Sequence, residues 1–375
     1  MEWVDAFGHT DRTPLAAKLI ADIKASPRGA IPFREYMEAC LYDPEYGYYM
    51  QPVVKVGKEG DFYTSSHVGT VMADILVRYV GQVLGQDRQM LRIEEWGGGS
   101  GRLAAQLMER LEARFPDELG RIRLVMAERS GYHRRLQQEA LGQVRMEVRF
   151  IDPGEPEPIP EGERCLILAN ELLDAFPVHR VKQAPEGLLE CHVGWDQENK
   201  RFREEWFPCE RGELQAYLDA GSIRLARGQI ADINLEAPRW IERQLERFTK
   251  GVILAIDYGG TADDLYGPHR MAGTLMCYYR HRAHADPYVL PGEQDITSHV
   301  DFSACIRAGI RSGATAWTLR TQKQFLVDFG ALELLREPDS TDPFGAIARQ
   351  NRALRQLLLM EGLAETFKVL ELVKA

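Results

Sequence analysis

One seven-residue stretch, Glu95-Trp96-Gly97-Gly98-Gly99-Ser100-Gly101, carries the residue types and spacing that could do chemistry. Glycines at 97, 99 and 101 lack Cβ, so the backbone can turn tightly there and a ligand can approach it closely. A plain strand-to-helix turn uses glycine in the same way, so the neighbouring acids must decide between the two. Glu128 closes the next apolar run, the place where a carboxylate accepts hydrogen bonds from both ribose hydroxyls of an adenosine. The alternative for Glu128 is a solvated acid at a strand end. Glu95 stands immediately before the turn. A dinucleotide's pyrophosphate disfavours an acid there, whereas a ligand with an ammonium, a sulfonium and no phosphate favours it. The expected cofactor is therefore S-adenosylmethionine, held by Glu95, Gly97, Gly99, Gly101 and Glu128, and a nicotinamide dinucleotide is disfavoured. Asp152 either reaches the adenine amino group or starts the turn Asp152-Pro153-Gly154.

A second polar set, Asn170-Glu171-Leu172-Leu173-Asp174, leaves the fourth strand, and ligands of open α/β sheets bind at the carboxyl ends of strands. Glu171 and Asp174 are spaced to share a face if this segment continues as a helix. Methyl transfer is an in-line displacement in which alignment alone can supply roughly 7–11 kcal/mol. If the acceptor is an arginine, as a resemblance drawn below from longer motifs implies, it would set cation against sulfonium, at a cost on the order of 4 kcal/mol for about 4 Å and an effective dielectric of about 20. A carboxylate on the guanidinium offsets that repulsion and fixes one nitrogen. Glu171, Asp174 and Asn170 are thus the candidate catalytic residues; the structural alternative is helix N-terminal acids favoured by the dipole. His281 and His299 are secondary candidates for proton transfer, since a lone histidine is more often structural.

The elements that would position these residues follow from periodicity. Residues 10–90 read as mainly helical, with Leu15, Leu19, Ile20 and Ile23 at helical spacing and the aromatics from Phe33 to Tyr49 as core. Apolar runs at Leu91–Trp96, Ile122–Ala127, Val144–Ile151, Arg164–Ala169 and Gly251–Ile256 read as strands alternating with helices, which implies a parallel sheet. Ala314–Leu319 and Phe367–Val373 supply a sixth and a seventh strand. Leu188–Trp195 and Arg201–Phe207 flank Asp196-Gln197-Glu198-Asn199-Lys200 as a hairpin. The expected division is 1–90 as a helical N-terminal region, 91–184 with 251–375 as the sheet core, and 185–250 as an insertion on the substrate side.

Bulk properties narrow the classes further. A formal charge of −10 without a dense Lys/Arg run excludes a nucleic-acid binder and suits a basic protein substrate. The cysteines Cys40, Cys165, Cys191, Cys209, Cys277 and Cys305 form no Cys-x-x-Cys pair, so neither zinc nor a dithiol site is expected. The acidic start Met1-Glu2-Trp3-Val4-Asp5 is unlike a signal peptide, and no apolar run reaches membrane-spanning length, so a cytoplasmic protein without a membrane partner is expected. A homodimer stays open.

Several longer motifs carry a family resemblance. They are Tyr42-Asp43-Pro44-Glu45-Tyr46-Gly47-Tyr48-Tyr49, Gly60-Asp61-Phe62-Tyr63-Thr64-Ser65, the glycine turn, Ala169-Asn170-Glu171-Leu172-Leu173-Asp174-Ala175-Phe176-Pro177, Ile256-Asp257-Tyr258-Gly259 and Asp295-Ile296-Thr297-Ser298-His299-Val300-Asp301-Phe302. In this order the chain resembles the MidA-like class I methyltransferases, bacterial relatives of a mitochondrial complex I assembly factor. The resemblance implies a Rossmann-like seven-stranded sheet and S-adenosylmethionine as methyl donor, with Asp61 lining the cofactor mouth. The mitochondrial member is associated with symmetric dimethylation of an arginine in a complex I subunit, so the resemblance also implies a protein arginine acceptor. Ser66-His67-Val68-Gly69 departs from the Ser-Pro-Glu of many relatives. The alternatives are a methyltransferase for a small molecule or another side chain, and a non-catalytic assembly factor that keeps the fold; the intact glycine turn with Glu128 speaks against the latter.

Overall fold

Thr13-Pro14 opens the first helix: the threonine side chain accepts the Ala16 N–H at 3.2 Å, and proline's fixed φ suits the first turn. The computed structural model describes residues 10–53, 70–85, 89–337, 345–359 and 366–375. Its helices are α1 (Pro14–Ala25), α2 (Phe33–Tyr42), α3 (Val71–Leu84), α4 (Arg102–Arg114), α5 (Gly131–Ala140), α6 (Gly212–Ala220), α7 (Glu236–Glu246), α8 (Ala262–Tyr266), α9 (Phe302–Arg311), α10 (Gln322–Asp328) and α11 (Ala346–Leu359). Its strands are β1 (Ala30–Pro32), β2 (Met90–Trp96), β3 (Ile122–Ala127), β4 (Glu147–Ile151), β5 (Glu163–Asn170), β6 (His179–Ala184), β7 (Gly187–Asp196), β8 (Arg201–Pro208), β9 (Ile230–Ile233), β10 (Gly251–Gly260), β11 (Met276–Tyr279), β12 (Arg282–His284), β13 (Asp295–Thr297), β14 (Val300–Asp301), β15 (Ala316–Thr321) and β16 (Phe367–Lys374).

Two compact units result. The sheet unit comprises Tyr63–Leu172, Trp240–Tyr258 and Ile306–Ala375. Its strands lie in the order β15-β16-β10-β5-β2-β3-β4. Cys165 to Ala169 of β5 are all buried, as a strand covered on both faces requires. The pairings of β2 with β3 and β5, of β3 with β4 and of β5 with β10 are parallel. The expectation of a wholly parallel sheet fails at β16, which runs antiparallel to both β10 and β15. After β15 the chain passes through α10 and α11 and returns as a strand wedged between two others, a direction no local pattern encodes. The register sets Trp96 opposite both Ala127 and Ala169, so the residues that follow these strands emerge level along one edge of the sheet. Val71, Ile75 and Leu76 of α3 share the core with Leu103, Leu107 and Leu111 of α4 and with Ile93 and Leu124.

The second unit comprises Met1–Phe62, Leu173–Arg239 and Gly259–Cys305. One antiparallel sheet has the order β1-β7-β6-β9 with β8 added on β7, and a smaller one runs β12-β11-β13. The aromatic stretch is core: Phe33, Tyr36 and Tyr48 are buried with Met37 and Leu41. The units cut across the division expected from sequence. The span 1–90 is shared, with α1 and α2 in one unit and α3 in the other, and the hairpin of β7 and β8 joins a sheet that recruits Ala30–Pro32. Among the described residues no helix is long and apolar enough to cross a membrane, and no group of His, Cys, Asp and Glu could hold a metal ion.

Candidate functional site

The turn after β2 is built from left-handed backbone. Gly97, Gly99 and Gly101 have φ of 66, 52 and 76°, a region that L side chains rarely enter. The Gly97 N–H donates to the Ala127 carbonyl at 3.0 Å, and the Gly101 N–H donates to that of Gly98 at 2.9 Å. The three positions then part company. A Cβ at 97 would stand 2.7 Å from Leu172 Cδ1, and one at 101 would stand 3.0 Å from Gln137 Cα. A Cβ at 98, a position the spacing argument passed over, would stand 2.8 Å from Met126 Cε and 3.0 Å from Glu95 Cδ. Among the described residues a Cβ at 99 would meet nothing within 4 Å. Gly97, Gly98 and Gly101 therefore serve close packing of the turn on its own unit, while Gly99 alone faces open space.

The acids around the turn are buried. Glu95 is 3% exposed, its side chain lies against Gly98, and its carboxyl is near the backbone N–H of Ala104 in the first turn of α4. Among the described residues its Oε2 has no hydrogen-bond partner. Burial, and after it the charge of Glu128, push the Glu95 carboxyl up to about 8. Glu128 is also buried; Oε1 accepts the Ser130 N–H at 2.8 Å and Oε2 accepts Gln137 Nε2 at 3.1 Å. Burial raises its pKa, opposed by those hydrogen bonds and by Arg134. Neighbouring Glu94 points to the other face of the strand and meets the opposite fate. Against the burial that would raise it, the hydrogen bonds and charge of Arg247 and the charge of Arg92 hold it below the usual range. Asp152 is exposed, and its Oδ1 accepts the Gly154 N–H at 2.8 Å, the geometry of the turn reading.

At the exit of β5 the chain makes no helix, so the shared helical face expected for Glu171 and Asp174 does not form. Glu171 takes φ 55°, its N–H donates to the Ile256 carbonyl at 2.8 Å, and the next N–H, of Leu172, donates to Asp257 Oδ2 at 3.1 Å. These bonds to β10 turn the chain away from helical geometry and hold a conformation that costs about 1–3 kcal/mol. Asn170 Nδ2 donates to Glu171 Oε1 at 3.3 Å. Asp174 belongs to the other unit, where its carbonyl accepts the Ser298 N–H. Asp257, fully buried, and Gln137 are the residues of this neighbourhood that motif reasoning did not single out as functional. Gln137 is an ordinary polar letter in a helical run, and Asp257 acts across the sheet. His281 is exposed with φ 62° at a hairpin tip, and burial pushes His299 down to about 4, so it is neutral near pH 7. Asp61 lies outside the described residues.

The sheet edge thus presents an open glycine at 99 beside two buried carboxyls. Buried carboxyls at this place suit a ligand that brings cations and hydroxyls rather than phosphates.

Comparison with known proteins agrees. Residues 72–319 match the family described as "Putative S-adenosyl-L-methionine-dependent methyltransferase". The crystal structure of a Burkholderia thailandensis protein bound to S-adenosyl-homocysteine is similar at 35% identity and a TM-score of 0.85, covering 98% of this chain and 93% of that one. The Mus musculus "Protein arginine methyltransferase NDUFAF7, mitochondrial" is 27% identical over 349 residues, 85% of this chain and 74% of its own. Its Drosophila melanogaster homologue is 26% identical over 315 residues, 77% and 68% of the two chains.

Proposed function

Because the chain belongs to the family "Putative S-adenosyl-L-methionine-dependent methyltransferase", we propose that it binds S-adenosylmethionine at the turn after β2 and methylates an arginine side chain of a protein. The observation that carries the cofactor reading is Gly99: left-handed backbone with open space before it, beside buried carboxyls that no cation neutralises fully. Bound there, the cofactor supplies a methyl group on a sulfonium. Glu128 takes the ribose hydroxyls, the turn gives close backbone approach at Gly99, and Glu95 adds negative potential beneath the turn. The exposed Asp152 stands at the adenine end.

The arginine reading rests on Glu171, held in strained backbone at the edge where the turn also emerges, and on the relatives named protein arginine methyltransferases. Glu171, steadied by Asn170, pairs with the guanidinium, offsets its repulsion by the sulfonium and points one nitrogen at the methyl. As that nitrogen bonds the methyl carbon, the carbon–sulfur bond breaks to leave S-adenosyl-homocysteine, and the nitrogen's proton passes to the Glu171 carboxylate and on to solvent. The test is calorimetric titration with S-adenosyl-homocysteine and with NAD, followed by transfer of labelled methyl to proteins of a cell lysate and mass spectrometry of the product. Binding of NAD in preference to S-adenosyl-homocysteine overturns the cofactor reading. Methyl groups on lysine, on a carboxylate or on a small molecule overturn the arginine reading and leave the methyltransferase standing.

A further inference from the structure

Helix α5 buries one of its ten residues, and that residue is polar: Gln137, with no exposed surface. An ordinary surface helix buries an apolar stripe. Gln137 Nε2 donates to the Gly99 carbonyl at 3.0 Å and to Glu128 Oε2 at 3.1 Å. A primary amide has two N–H donors, and both are spent here. The orientation of the amide is forced, because flipping it would set its carbonyl against two acceptors. The cost of that orientation is visible: among the described residues, Gln137 Oε1 is buried without a partner. A methionine of similar length would fill the space and remove that oxygen, but it would take away the donors that the Gly99 carbonyl and Glu128 Oε2 now hold. The helix is also seated directly on the turn, since a Cβ on Gly101 would lie 3.0 Å from Gln137 Cα and 3.1 Å from its Cγ.

We propose that Gln137 is a positioning residue for the cofactor's ribose, tying the Glu128 carboxylate to the Gly99 turn so that the diol and the ligand backbone are met at a fixed separation. An ionised carboxylate offers about four lone-pair sites. Among the described residues the Ser130 N–H uses one on Oε1 and Gln137 uses one on Oε2, with the Arg129 N–H also close, so the carboxylate keeps acceptor capacity for vicinal hydroxyls. The inference rests on the ribose reading of Glu128 given above, and the experiment separates the two.

S-adenosyl-homocysteine and its 2′-deoxyribose analogue are titrated calorimetrically into the wild-type protein, Gln137→Met, Glu128→Ala and the double variant, with ligand-free melting curves alongside. The expected results are a folded Gln137→Met protein whose melting temperature falls no further than the loss of two hydrogen bonds explains, about tenfold weaker binding of S-adenosyl-homocysteine, a reduced preference for ribose over deoxyribose, and no further loss when the substitution is added to Glu128→Ala. Gln137→Glu, with the same shape, replaces the donors by acceptors and weakens binding more than Gln137→Met, which guards against a packing effect of methionine. Wild-type affinity in Gln137→Met, or an equal loss for ribose and deoxyribose ligands, overturns the positioning role while Glu128 keeps its own. Wild-type affinity in Glu128→Ala overturns the ribose reading and this inference with it.

Discussion

Replacing Glu95 by glutamine changes one atom and removes one titration. In the folded, ligand-free protein the Glu95 carboxyl is raised from 4.5 to about 8 by burial first and by Glu128 second. At neutral pH the native state therefore keeps a proton on this group that the unfolded chain has released. Stability falls with pH wherever the native state binds more protons, by about 1.4 kcal/mol per pH unit for one proton. The contribution is fully present below about pH 4.5 and lost progressively as pH rises to about 8, a total of about 5 kcal/mol. Glu95→Gln mimics the protonated form at every pH. Its unfolding free energy should match that of the wild type near pH 5 and exceed it increasingly up to pH 8, because the slope lacks one proton. Urea unfolding of the ligand-free proteins from pH 5 to pH 9 measures both slopes. A cation seated above the turn favours the ionised carboxyl, so cofactor binding should release protons near pH 7 in the wild type, and Glu95→Gln should release fewer; calorimetry in buffers of different ionisation enthalpy counts them. Parallel stability slopes for the two proteins would refute a buried, proton-holding Glu95.

The glycines of the turn should separate by assay. Gly99→Val should lose calorimetric binding of S-adenosyl-homocysteine, because its side chain enters the open space, whereas Gly97→Ala and Gly101→Ala should lower the melting temperature through contacts of 2.7 Å with Leu172 and 3.0 Å with Gln137. Glu171→Gly relieves the strain of φ 55° and should raise stability by up to about 1–3 kcal/mol while abolishing methyl transfer. Glu171→Gln keeps the shape and should slow single-turnover transfer about 10²-fold with cofactor affinity unchanged; an undiminished rate removes Glu171 from the acceptor site.

Much of the sheet was legible because buried parallel strands read as continuous apolar runs. Ile122–Ala127 matches β3, and the other six core strands agree to within a few residues at either end. The glycine turn was legible because left-handed backbone selects glycine so strongly. Local pattern could not say which glycine faces open space, since Gly97, Gly99 and Gly101 are the same letter and differ only in what the fold brings against them: Leu172, open space and Gln137. It could not give the direction of β16, which depends on which gap in the sheet remains when the chain returns. Their spacing would put Glu171 and Asp174 on one face if the segment were a helix, but bonds from Glu171 and Leu172 to β10 hold Glu171 in left-handed backbone and the chain turns without forming one. Burial, too, belongs to the tertiary structure: Glu94 and Glu95 are adjacent and chemically identical, and only the packing makes one a paired carboxylate and the other a keeper of its proton.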